Sequence, residues 1–321
     1  MDVSVKLLTM VLAIGLFVAV VGVILFIAGR SEHRSPSLVA YVFLAPSILL
    51  LSVGLLYPAV RTVITSFFNA AGDAFVGLGN YSTIFSSSDE ILVLRNTVLW
   101  VVVTPFLATA IGLLYAILVD GAKAEAPAKA LIFLPMAISF VAASIIWKFV
   151  YEFRPDQQGI KQIGLLNQIV VWLGGTPQQW IVNSPWNTFF LIIVMIWIQA
   201  GFAMTILSAS IKAIPGDIIE AARLDGVTAV GMFRFVTLPS IRPSVVVVLT
   251  TIGIGTLKVF DIVRTMTGGN FGTNVVANEF YTQSFRASNQ GLGSALAVLL
   301  FILVVPIVAY NIRQLRASEA R

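Results

Sequence analysis

Long apolar runs alternate with polar connectors along the whole chain. A membrane-spanning helix needs about 20 mostly apolar residues, or roughly 30 Å at 1.5 Å per residue. Seven segments meet that length: 5–29, 38–60, 96–119, 130–150, 187–210, 243–263 and 293–312. Each is apolar all round, so helical periodicity does not say which face meets lipid. The ten-residue alternating strands of a β-barrel are absent from the pattern. It predicts an all-α integral membrane protein of about seven transmembrane helices. One polar connector stands out: "IPGDIIEAARLDGVTAVGMFRFVTLPSIRP", from Ile214 to Pro243.

Composition agrees with lipid as the main solvent. The 321 residues are 58% hydrophobic and 11% charged, with mean hydropathy +0.94. Soluble domains carry about 25% charged residues. The absence of Cys excludes disulfides, thiolate metal sites and Cys nucleophiles. The single His, His33, sits between Glu32 and Arg34 in a short loop and makes no metal site. The net charge of +5 comes from scattered basic residues, which argues against nucleic acid and for membrane topology. Placing the 214–243 loop in the cytoplasm gathers Arg30, Arg34, Lys123, Lys129, Lys212, Arg223, Arg234, Arg242 and the basic C-terminal tail on one side. The basic residues of the other side are spread over longer loops. This orientation predicts a multi-pass protein of a prokaryotic plasma membrane, with the C-terminus cytoplasmic and the N-terminus outside. The first apolar run exceeds the 7–15 residues of a signal-peptide core and follows Asp2, so a retained helix is expected. The expected division is 1–36, an N-terminal helix with a short loop, and 37–321, the working membrane domain, with its special loop at 212–242. Trp172, Trp180 and Trp186 in the long 151–186 loop read either as headgroup-level anchors or as a docking surface for an external partner.

The polar connector has recognisable mechanics. Pro215 suits a first helical position, where its missing N–H costs nothing. Asp217 and Glu220 lie at the helix start, where carboxylates are favoured. Ala221 and Ala222 permit close approach of a partner. Gly226 breaks the helix. A second short helix over about 228–235 presents Val230 and Phe233, Leu238-Pro239 ends it, and Pro243 opens the next span. The unit holds no nucleophile–base pair. An interfacial connector would satisfy the amphipathic pattern alone, but not the combined spacing. Glu220-Ala221-Ala222, three residues, Gly226, nine residues, then Val236-Thr237-Leu238-Pro239 resembles the signature loop of binding-protein-dependent ABC importer permeases. Val236 stands where the family usually has Ile. The likeness covers about residues 38–315. "FLPMAISFVAASIIWKFVY" and "WIQAGFAMTILSASIKAIP" resemble the sugar branch, most of all permeases for maltose and other α-glucosides.

The resemblance implies a type I importer transmembrane domain, with a six-helix core plus the extra N-terminal helix. It implies a second homologous permease, two cytoplasmic ATPase subunits and an external sugar-binding protein as partners. The first helix of the loop would be the coupling helix, with Glu220, Ala221, Ala222, Asp225, Gly226, Leu238 and Pro239 as coupling residues. ATP and Mg would bind the ATPase partners; this chain has no G-x-x-x-x-G-K-[ST] motif and carries no cofactor of its own.

Polar groups inside spans are costly and therefore informative. Gln199 and Phe202 are spaced to share a face with Met195, and an amide beside an aromatic ring suits a sugar. Thr256 shares a face with Ile252 and Val259. Met195, Ile198, Gln199, Phe202, Ile252 and Thr256 also fall where maltose-type permeases contact substrate, although several residue types differ. Helix packing is the alternative, with Gln199 as interhelical glue. Lys258 and Asp261 are read as an i,i+3 intramembrane charge pair with a structural or gating role. Thr267-Gly268-Gly269-Asn270 reads as a turn leaving the membrane. The expected function is an ATP-driven sugar importer's permease, with maltose, trehalose or another α-glucoside as cargo and glycerol 3-phosphate as a rival. A self-sufficient secondary transporter would show internal repeats and intramembrane carboxylates, of which Asp261 is the one candidate. An enzyme has no catalytic constellation to stand on.

Overall fold

The computed structural model describes residues 36–155 and 161–319, together with Met10, Gly15, residues 19–23 and Phe26. Most of the expected 5–29 span therefore lies outside the described residues. Two compact units divide after Ile64, and each is described by itself.

In the first unit, α1 (Pro36–Leu51) continues through a π-helical turn, Ser52–Leu56, into α2 (Tyr57–Thr65). The widened turn has a local cause. Pro58 offers no N–H to the Gly54 carbonyl four residues earlier, and an extra residue in the turn absorbs the ring.

The second unit is helical, and its described residues contain only an isolated bridge between Phe68 and Phe75. Its elements are α3 (Gly79–Ser86), α4 (Ser88–Val119), α5 (Glu125–Phe133), α6 (Phe140–Val150), α7 (Leu165–Trp172) and α8 (Asn187–Lys212). There follow α9 (Gly216–Leu224), α10 (Leu238–Leu257), α11 (Asp261–Met266), α12 (Val276–Tyr281) and α13 (Gln290–Glu319). Among the described residues, five helical stretches are long and apolar enough to cross a membrane, or six if the bent α5–α6 pair counts as one span.

The core is the α4–α8 pair, and small residues let it close. On α4, Thr104, Ala108, Gly112 and Ala116 recur every fourth residue and are all buried. A Cβ on Gly112 would lie 2.6 Å from the Ala203 Cβ and 2.7 Å from the Met204 nitrogen of α8. Without a hydrophobic force between helices in lipid, such close backbone approach is what drives association. α5 crosses α8 at Gly201, where a Cβ would lie 2.5 Å from the Ile132 carbonyl oxygen.

Two expected spans differ from the observed ones. The 130–150 segment is not one helix. It breaks at a 3₁₀ turn, Leu134–Ala137, and the halves are bent by 104°. Pro135 removes a helical donor, Ile138 is extended, and Ser139 caps the second half by accepting from the Ala142 N–H at 3.2 Å. The 243–263 segment ends early, at Leu257, with Lys258 as its C-cap; α11 is a separate helix.

Each end of the bundle is held by its own polar contacts. Lys212, at the end of α8, pairs with Asp120 in the α4–α5 turn, so both lie at one end. At the opposite end, Asn96 donates to the carbonyls of Gly272 and Asn274 at 2.7 and 2.9 Å, and Asn187 to that of Phe271 at 2.8 Å. Asn167, fully buried, ties the 151–186 loop together. It donates to Glu152 and Gln178 carbonyls and accepts from Gln178 N–H and Trp180 Nε1.

Candidate functional site

α8 ends at Lys212, and three residues later Pro215 turns the chain into α9. Pro215 is the N-cap of α9 (ψ 136°), one position before the expected one, and Gly216 opens the helix. Asp217 lies in the first turn, where the exposed N–H groups favour it. At the other end Asp225 is the C-cap and Gly226 takes φ +74°. The Val227 N–H bonds to the Ala222 carbonyl (3.2 Å) and the Gly226 N–H to that of Arg223 (3.0 Å). These two bonds are the Schellman closure, which needs a left-handed residue after the cap. Gly226 therefore does break the helix, and the physical reason is its positive φ.

Beyond the turn, the Thr228 hydroxyl accepts from the Gly231 N–H at 3.2 Å and caps a new helix. Here the structure corrects the reading of Leu238-Pro239 as a stop. One turn, Ala229–Gly231, passes through a π-helical stretch, Met232–Thr237, directly into α10. Pro239 would clash with the Phe235 carbonyl of a regular helix; the widened stretch removes the clash. Leu238 and Pro239 open α10 but lie inside a continuous helical run, Ala229–Leu257.

α9 has no buried residue. Asp217, Glu220, Ala221 and Leu224 share one face by their spacing. Leu224 is 89% exposed, and beyond the turn Val230 is 76% and Phe235 70% exposed. α9 thus buries nothing on its own chain, yet displays apolar and acidic groups together.

The expected substrate residues divide. Met195, Ile198, Ile252 and Thr256 are buried within this chain's own core. The Thr256 hydroxyl is used locally, donating to the Ile252 carbonyl at 2.7 Å. Gln199 and Phe202 retain accessible surface. On α10 the accessible strip is offset by about one residue from the expected face and carries Thr251, Gly255 and Lys258. Added to Gly255, a Cβ would meet open space. The exposed strips of α4 and α13 are instead apolar, with Val98, Val102 and Phe106 on one and Phe301, Ile302 and Val305 on the other. The periodicity of an all-apolar helix gives no register, which is why the sequence points to the inward face. Lys258 and Asp261 do not form the expected pair. The helix stops between them, Asp261 starts α11, and no ion pair joins the two side chains.

Elsewhere the turn at Thr267–Asn270 forms as read, held by a 2.9 Å bond from Asn270 Nδ2 to the Thr267 carbonyl. Of the three tryptophans in the 151–186 loop, Trp172 and Trp186 are exposed while Trp180 folds inward onto Phe190. Sequence reasoning missed a polar cluster at the base of α8. Glu125 accepts from Lys129 (2.6 Å) and Lys212 (2.5 Å) and from the Gly121 N–H (3.0 Å). Lys129 also reaches Ser208 Oγ at 2.5 Å, and Lys212 reaches Asp120 at 3.3 Å. The i,i+4 spacing of Glu125 and Lys129 was the available signal.

A multi-pass helical membrane protein with a short exposed helix between two spans is the class these features define. Residues 108–317 match the family of binding-protein-dependent transport system inner membrane components, and the chain belongs to that family. It is thus a membrane component of a transport system and not an enzyme. The osmoprotective compounds uptake permease protein GgtC of Synechocystis is 48% identical over 86% of this chain and 99% of its own. The alpha-glucoside transport system permease protein AglF of Rhizobium meliloti is 46% identical over 89% of this chain and 85% of its own. Among solved structures, a chain of a bacterial ABC transporter that imports alginate superposes with a TM-score of 0.74 at 19% identity, covering 90% of this chain and 98% of its own. That likeness establishes the shared fold.

Proposed function

We propose that this chain is the permease of an ATP-driven importer for α-glucosides, forming half of a path completed by a second homologous permease. The observation that carries the coupling is α9. Its acidic and apolar face, unburied on its own chain, is shaped to dock on a cytoplasmic ATPase subunit. Two such subunits bind and hydrolyse ATP, and their closure shifts α9 and flips the permeases between inward- and outward-facing states. The loop end of the bundle, with Lys129, Lys212, Arg223 and Arg234, is then cytoplasmic, and so is the C-terminus. An external binding protein delivers the sugar to the opposite end. The path in this half draws on Gln199 and Phe202 of α8 and on the Thr251–Gly255–Lys258 strip of α10. Hydroxyl, amide and ammonium groups can bond sugar hydroxyls, and the Phe202 ring can stack on a sugar's apolar face.

The AglF likeness supports an α-glucoside cargo. The GgtC likeness, at 48% identity, favours a second reading in which the cargo is an osmoprotective solute. The complex reconstituted in liposomes with its binding protein separates them. Under the first reading maltose, trehalose or sucrose stimulates ATP hydrolysis and is taken up. Stimulation by a small glycosylated osmolyte alone supports the second, and stimulation by none of these solutes contradicts both.

A further inference from the structure

The cluster at the base of α8 is more than surface decoration. Lys212 is the last residue of α8, and the connection from it to α9 is short and stiff. The Ala213 N–H still bonds to Ala209 and the Ile214 N–H to Ile211, so helical bonding runs almost to Pro215. A displacement of α9 therefore reaches Lys212 with little slack. On the other side, Glu125 is the first residue of α5, the first half of the broken span. Its carboxylate takes three donors: Lys212 from α8, Lys129 from its own helix, and the Gly121 N–H of the α4–α5 turn. Lys129 adds a second tie to α8 through Ser208. The set balances two carboxylates, Asp120 and Glu125, against two ammonium groups. Isolated exposed ion pairs contribute little, but a network that shares one carboxylate among three donors fixes relative geometry.

We propose that Glu125 is a positioning residue for coupling: it fastens the start of the broken α5–α6 span to the base of α8, so that the span moves with α9 as one body. The second contact between these elements fits this role. Two turns of α8 beyond Ser208, α5 lies directly on Gly201, with no room for a Cβ. Polar ties at the base and close packing above give a two-point attachment, and a two-point attachment transmits rotation as well as translation. Without Glu125, Lys212 would lose its bond to α5; the Lys129–Ser208 bond and the packed point would remain, and the start of α5 could shift against the base of α8.

The inference rests on the coupling role of α9, so the test includes a control for that role. In the reconstituted full complex, the readout is solute imported per ATP hydrolysed, with co-purification of the ATPase subunits as a check on assembly. Lys212→Glu leaves three carboxylates facing Lys129, and the ratio should fall roughly fivefold or more, the usual size of a coupling energy. Glu125→Lys should do the same. The exchanged double variant Glu125→Lys/Lys212→Glu restores two charges of each sign and should recover most of the ratio. A merely structural role would lower assembly, read as co-purification of the ATPase subunits, and would leave the ratio of the assembled complex unchanged. Singles that keep the wild-type ratio, or a double no better than the singles, overturn the proposal. If Glu220→Lys uncouples the complex while the Lys212 and Glu125 variants do not, only this proposal fails. If Glu220→Lys is itself silent, the coupling role of α9 fails first.

Discussion

Gly226 sets the direction in which the chain leaves α9, and its replacement has a calculable cost. Its φ is +74°, and an added Cβ would meet nothing within 4 Å. The penalty for an L-residue is therefore purely that of the left-handed backbone, about 1–2 kcal/mol. That corresponds to a roughly 5–30-fold loss in the population of the native turn. The two closing bonds, Val227 to Ala222 and Gly226 to Arg223, would be lost with it. Asn tolerates the left-handed region and should cost less than Ala, while Val should cost most. Hydrogen exchange on the 222–229 segment of the assembled complex should quicken in the order Gly, Asn, Ala, Val. Solute-stimulated ATP hydrolysis should fall in the same order. Exchange in Gly226→Val equal to wild type would show that the positive φ does not hold the turn and would refute the reasoning.

Two further outcomes follow from the packing. The chain has no Cys, so each single substitution gives it one thiol, read on this chain after the subunits are separated. Thr251→Cys and Gly255→Cys should react in the assembled transporter with a polar thiol reagent, whereas Ile252→Cys and Thr256→Cys should not; equal rates at all four positions would contradict the α10 register. Asn96→Ala would leave the Gly272 and Asn274 carbonyls without their donor, at about 1–3 kcal/mol. Exchange of the 272–276 amides should then rise about tenfold or more while α8 amides stay protected, and an unchanged loop would show that Asn96 does not hold it.

The sequence made some of this plain and left some hidden, for physical reasons. Apolar run length is dictated by bilayer thickness, so the positions of 96–119 and 187–210 were legible and the helices only extend them. Loop chemistry was legible where one residue type has one conformational use, as at Gly226. It failed where proline can be accommodated in two ways. Leu238-Pro239 looks like a stop, but a widened π stretch lets the helix pass through it; Pro135 in the 130–150 segment does break its span. Face assignments failed on α10 because all-apolar periodicity carries no register, and Ile252 and Thr256 turned inward. The Lys258–Asp261 pairing failed because it assumed a helix that ends at Leu257. The α4–α8 contact could have been read from Thr104, Ala108, Gly112 and Ala116, whose four-residue spacing is the mark of close helix approach in lipid.

The central claim is that α9 is the contact through which ATP hydrolysis drives this chain. Glu220 lies on the exposed acidic and apolar face of α9, and no ion pair joins it to another side chain among the described residues. Glu220→Lys inverts one charge at that surface and leaves the interior untouched. Binding-protein-dependent ATP hydrolysis and solute uptake, measured together in proteoliposomes, should both fall at least tenfold while the permease still inserts and retains its sister subunit. Hydrolysis and uptake at wild-type rates in Glu220→Lys would contradict the account.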